Sequence, residues 1–104
     1  MTIFVRKLLR IYEQENVLIY RTNRKFWEFY QALPEEIQKR ADEKFELLKQ
    51  DSTHPSLRLK KVGPDWVVRI SKDFRALATE EDGSLVWYWI GKHDEYMRRI
   101  RENR

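Results

Sequence analysis

Four residues in the second half of this 104-residue chain are of types that hold phosphates and move protons. Arg69 and Arg75 lie in the stretches WVVRIS and FRALAT, and His93 and Tyr96 follow in WIGKHDEY. A guanidinium binds a phosphate through two parallel hydrogen bonds. An imidazole exchanges protons near neutral pH. A phenol stacks on a base or donates to a phosphate oxygen. Cutting RNA without a metal needs just such groups: a base for the 2′-hydroxyl proton, cations for the crowded phosphorus centre, and an acid for the departing 5′-oxygen. Each residue also has a plainer reading. The arginines can reach outward to acids such as Glu80 or Asp94, His93 can serve a strand exit, and Tyr96 can close the sheet edge.

The elements that must position these residues are legible from periodicity. Trp66, Val68 and Ile70 alternate with Val67 and Arg69, and Phe74, Ala76 and Ala78 alternate with Arg75 and Leu77. A hairpin that keeps these faces separate must set Arg69 opposite Arg75, because a slip of one residue would mix apolar and charged positions. A three-residue loop over 71–73 achieves this, whereas a two-residue turn at Lys72-Asp73 would pair Ile70 with Arg75. Like charges facing each other on a sheet are unfavourable unless an acid or a bound anion intervenes. Between Thr53 and Thr79 there are six cations, Arg58, Lys60, Lys61, Arg69, Lys72 and Arg75, against Asp65 and Asp73. That excess suits phosphate, and Arg58, Lys60, Lys61, Lys72 and Lys92 are the expected nucleic-acid contacts.

Upstream, NVLIYRT reads as a strand. NRKFWEFYQAL reads as a helix with Asn23 or Thr22 at its start. Pro34 stops that helix and opens another, whose apolar stripe is Ile37, Ala41, Phe45 and Leu48. DSTHPS is a loop, in which His54 shapes the chain, and LRLKKV is a short strand. Asp82-Gly83 signals a hairpin. SLVWYWI is apolar on both sides, as in a central strand. The chain is expected to leave this strand at Gly91 and close with a short basic helix. The order predicts one α+β domain: an entry strand and a helical hairpin against one face of a twisted antiparallel sheet. Residues 1–16 form an extension, read as an amphipathic helix through Val5, Leu8, Leu9 and Tyr12, and 17–100 form the core.

Composition sets wider bounds. The net charge is +4, 37% of residues are charged, and there is no cysteine. Thiolate chemistry and cysteine-based zinc sites are therefore excluded, and a cytoplasmic setting is expected. Two histidines 39 positions apart give no metal-ligand pattern. No phosphate-binding glycine loop or serine elbow occurs, so no cofactor is expected. No apolar run reaches the ~20 residues of a membrane span.

The segments HPSLRLKKV, WVVRISKDFRALA and LVWYWIGKHDEY, behind a helical hairpin with LP between its arms, resemble the RelE/ParE superfamily of bacterial toxins. The resemblance runs from Val17 to Ile100. It implies a small α+β toxin, and a RelE-like activity: ribosome-dependent cleavage of mRNA by 2′-hydroxyl attack, without metal. Arg75 then corresponds to the arginine that stabilises the scissile phosphate. Arg69 corresponds to a basic strand residue that binds or activates, His93 to a proton-transfer histidine, and Tyr96 to an aromatic that stacks on or orients substrate. The implied partners are a cognate antitoxin and mRNA on the ribosome. The alternative within the superfamily is a ParE-like, non-catalytic toxin that binds and inhibits DNA gyrase.

Overall fold

The computed structural model describes residues 19–102, so the expectations for 1–16 and for the first residues of the entry strand lie outside the described residues. Within them, β1 (Ile19–Thr22) leads into α1 (Arg24–Gln31) and α2 (Glu35–Gln50). A 3₁₀ turn (Pro55–Leu57) then precedes β2 (Lys60–Val62), β3 (Asp65–Ser71), β4 (Phe74–Glu81) and β5 (Ser84–Lys92), and α3 (His93–Glu102) closes the order. The five strands form one sheet in the order β1-β5-β4-β3-β2. The meander β2–β5 is antiparallel, but β1 joins β5 in parallel, with Ile19 opposite Ser84 and Thr22 opposite Trp87. The sheet is therefore mixed at one edge.

Local chemistry accounts for the helical hairpin. Asn23 stands in extended backbone ahead of α1, and its Oδ1 accepts the Phe26 amide at 3.0 Å, satisfying one orphan donor of the first turn. Thr22 takes the other role open to it, accepting Trp27 Nε1 at 2.8 Å. Pro34 precedes α2, and its carbonyl accepts the amides of Ile37 and Gln38 at 2.9 and 3.0 Å. Glu35 and Glu36 sit in the first turn, where the helix dipole favours acids. Ala41, Phe45 and Leu48 are buried against the sheet, as their spacing predicts.

Two cores flank the sheet. The larger gathers Phe26, Ala41, Phe45 and Leu48 from the helical hairpin over Val68, Ile70, Ala76, Ala78, Leu85, Trp87 and Ile90. The smaller lies on the opposite face, where α3 brings Tyr96 and Ile100 onto Val67, Leu77 and Trp89. Sequence periodicity places the first two helices on one face, as found. The expected basic closing helix covers the other face of the sheet.

The turns repay comparison with expectation. Asp82 (φ 50°) and Gly83 (φ 79°) both adopt the left-handed conformation of a tight two-residue hairpin, which Asp-Gly tolerates. Arg69 does face Arg75 across β3 and β4. The means differ from the expected three-residue loop. The turn is the two-residue Lys72-Asp73 with Ser71 opposite Phe74, and the register shifts between Arg69 and Ser71. Ile70 is the extra residue of a bulge, which restores the separation of faces that a regular two-residue turn would have lost.

Gly91 is a second correction. It is neither turn nor exit, since β5 continues through it to Lys92 and α3 begins directly at His93. A Cβ on Gly91 would meet Trp89 Cζ2 at 2.6 Å, so the glycine leaves room for that indole.

Candidate nucleic-acid interface

The two arginines lie on the α3 side of the sheet, at the end nearest the Lys72-Asp73 turn, with Gly91 next to Arg75 on β5. The Arg69 side chain makes no hydrogen bond or ion pair with any described residue. Arg75 folds back over the turn, and its Nη1 donates to the carbonyls of Ser71 (2.6 Å), Phe74 (2.9 Å) and Lys72 (3.3 Å). Its bonds to described residues all leave from Nη1, so the Nε–Nη2 edge remains for another acceptor. The ion pairs among described residues, Lys49–Glu46 and Lys61–Glu80, involve neither arginine. Burial, followed by the Arg69 charge, pulls the Arg75 pKa below the ordinary guanidinium value; Arg58 adds to this, while Tyr96 and Asp73 oppose it. Glu80, one of the acids that could have neutralised the pair, is taken by Trp66 Nε1 at 2.6 Å and Lys61 at 3.6 Å.

A cavity of about 500 Å³ opens beside Arg69, between α2, the 3₁₀ turn and the end of β3. Arg58, Arg69 and Lys72 line it, joined by Arg40 and Lys44 from α2. These last two were missed from sequence because α2 reads as a solvated mixture of charges. The available signal was their i, i+4 spacing, which stacks them on one helix face. Lys44 is fixed by a 3.1 Å bond from Nζ to Ser56 Oγ, and Ser56 is in turn held by His54, whose Nδ1 accepts the Ser56 amide at 3.2 Å. His54 thus shapes the loop.

The remaining expected residues divide. His93 lines a separate cavity of about 310 Å³ with Asp73, Phe74, Lys92 and Asp94, on the far side of the turn from Arg69. As the first residue of α3 it donates its backbone amide to the Asp73 carbonyl at 2.7 Å. Lys92 therefore belongs with His93 and not with the arginine cavity. Tyr96 is only 5% exposed and packs in the smaller core, its ring 5.5 Å from that of His93. A ring so enclosed offers no face for base stacking, and it acts instead on Arg75 and His93 from behind. Lys60 pairs with Val67 and so shares the Arg69 face, whereas Lys61 pairs with Trp66 on the opposite face, where Glu80 holds it. Lys61 is thereby removed from the arginine group.

The family model for the ParE-like toxin domain matches residues 35–98, from the start of α2 into α3. The chain belongs to the ParE-like toxin family. It is a toxin of the RelE/ParE superfamily, as the ordered segments around Arg69, Arg75 and His93 led one to expect. Among solved structures, the RelB-RelE antitoxin-toxin complex from Methanococcus jannaschii is similar with a TM-score of 0.57 and 15% identity, over 76% of this chain and 96% of that one. A copper-bound mutant toxin from Helicobacter pylori is similar with a TM-score of 0.50 and 16% identity, over 76% and 98%. At these identities the likeness is one of fold. No curated protein sequence matches the toxin.

Proposed function

We propose that this toxin is a ribosome-dependent endoribonuclease that cuts mRNA by 2′-hydroxyl attack and is held inactive by a cognate antitoxin. The observation that carries this reading is the facing pair Arg69 and Arg75, with no acid between them among the described residues. Opposed cations on a sheet are stabilised by an anion, and a phosphodiester is the anion such a toxin meets on a ribosome. In the reaction, the 2′-oxygen gives up its proton and bonds to phosphorus while the bond to the 5′-oxygen breaks. The products are a 2′,3′-cyclic phosphate and a 5′-hydroxyl. Arg69 and the free edge of Arg75 neutralise the charge that gathers on the phosphorus oxygens. His93 exchanges a proton with one of the two reacting oxygens. Tyr96 supports Arg75 and His93 from the core.

The test is cleavage of ribosome-bound mRNA by the wild-type toxin, Arg75→Ala and His93→Gln. Losses of at least 100-fold in both variants are expected. Equal cleavage by all three would remove the proposed site.

One observation favours the ParE-like alternative. Arg69 and His93 open into different cavities, on either side of the Lys72-Asp73 turn. A toxin that binds and inhibits DNA gyrase needs a basic surface but no convergence of the two. Inhibition of gyrase supercoiling by the purified toxin, with translation unaffected, would decide for that reading.

A further inference from the structure

The cavity beside Arg69 is more basic than one backbone phosphate requires. Arg40, Lys44, Arg58, Arg69 and Lys72 bring five cations to its wall, and no acid lines it. The remaining lining residues are Pro55, Ser56, Ile70 and Ser71, which add a hydroxyl-bearing turn and a strand end. Several of these positions are fixed. Lys44 is anchored on Ser56, and Arg58 stands in left-handed backbone (φ 47°), a conformation that non-glycine residues adopt rarely and that aims it out of the 3₁₀ turn. Burial, then Arg40 and then Arg69 lower the Lys44 pKa, opposed by Glu43, so an anion beside Lys44 would offset this crowding of like charges.

The volume, about 500 Å³, falls within the ~300–1,000 Å³ of small-molecule sites. The charged wall excludes an apolar occupant. A backbone phosphodiester brings one negative charge, and a terminal phosphate about −1.5 to −2. Adjacent phosphates on one ligand bring several negative charges to these side chains at once.

We propose that this cavity is a binding site for a nucleoside polyphosphate, either as a free nucleotide or as the 5′-triphosphate end of an RNA. It shares Arg69 with the cleavage reading but does not depend on it, since binding is read without any chemistry.

The test is calorimetric titration of the full chain at ~0.15 M salt, where loose surface attraction is screened. The ligands are tripolyphosphate, a nucleoside triphosphate, the matching monophosphate, and a short RNA carrying a 5′-triphosphate or a 5′-hydroxyl. The triphosphates are expected to bind at least ten-fold more tightly than the monophosphate. The double variant Arg40→Ala/Lys44→Ala should lose at least ten-fold with its circular dichroism unchanged, while Lys39→Ala, on the same helix but outside the cavity, should bind as wild type. If the double variant misfolds, Arg58→Gly, which suits the left-handed backbone, should show the same loss. Whichever of the free nucleotide and the triphosphate RNA binds more tightly names the source of the ligand. Equal affinity for mono- and triphosphate together with equal affinity for the 5′-hydroxyl and 5′-triphosphate RNAs, or an equal loss in Lys39→Ala, would overturn the proposal.

Discussion

Replacing Gly91 by alanine adds a single methyl group, and the structure shows where it lands. The new Cβ would stand 2.6 Å from Trp89 Cζ2, 3.1 Å from Cη2 and 3.2 Å from Cε2, so three atoms of one indole edge must retreat. Trp89 cannot retreat toward solvent. It is 0% exposed, with the Phe29 ring 6.4 Å away and the Arg99 guanidinium carbon 5.0 Å above it. Overpacking of this kind costs about 1–3 kcal/mol, and each kcal/mol lowers Tm by roughly 4–8 °C in a domain of this size. Chemical denaturation should therefore show a lower midpoint at unchanged slope. The cause is isolated by a double-mutant cycle with Trp89→Phe, which removes the clashing edge. Once that edge is gone the alanine should cost little, so the double variant should be at least ~1 kcal/mol more stable than the sum of the two single losses predicts. Strict additivity, or a Gly91→Ala variant as stable as wild type, would refute the claim that the glycine exists to seat the indole.

Two further predictions concern the helical hairpin. Asn23→Ala removes the side-chain acceptor of the Phe26 amide and should cost about 1 kcal/mol, measured by the same denaturation; a change below ~0.3 kcal/mol would show that the cap is idle. Burial and the hydrogen bond to Asp42 push the Tyr30 pKa well above its ordinary value of 10.0. In alkali the unfolded chain then loses this proton before the folded one does, so the stability it contributes is intact below about pH 10 and lost as pH rises above that. Tyr30→Phe should flatten the alkaline arm of the stability profile, and an unchanged arm would exclude Tyr30 as its source.

How much of this was legible in the sequence varies with the physics of each part. The Arg69–Arg75 pairing followed from alternation alone, because apolar side chains cannot change face cheaply. The bulge at Ile70 that realises it did not follow, since a loop of three and a turn of two plus a bulge satisfy the same pattern. Strand β5 was recognised by its apolar run, yet Gly91 was misread, because a glycine near an element end looks like a turn unless the neighbouring indole is seen. Arg40 and Lys44 escaped notice because helix α2 alternates charges around its whole surface, and only the approach of the 3₁₀ turn and β3 singles out one face. Tyr96 shows the converse limit. An aromatic directly after an acidic pair can face solvent or core, and the choice depends on α3 lying back across Val67, Leu77 and Trp89, a long-range contact that no local spacing encodes.

The Lys72-Asp73 turn is where the two functional readings part. Lys72 lines the Arg69 cavity and Asp73 lines the His93 cavity, so the turn is the wall between them. Both functional sides grip it. Arg75 holds it through the Ser71, Lys72 and Phe74 carbonyls, and His93 holds it through the Asp73 carbonyl. Arg75 can meet a phosphate through its free Nε–Nη2 edge while Nη1 keeps the turn in place. The cleavage reading thus requires RNA to span the turn, with Arg69 on one side and His93 on the other, whereas the gyrase reading requires only the basic surface.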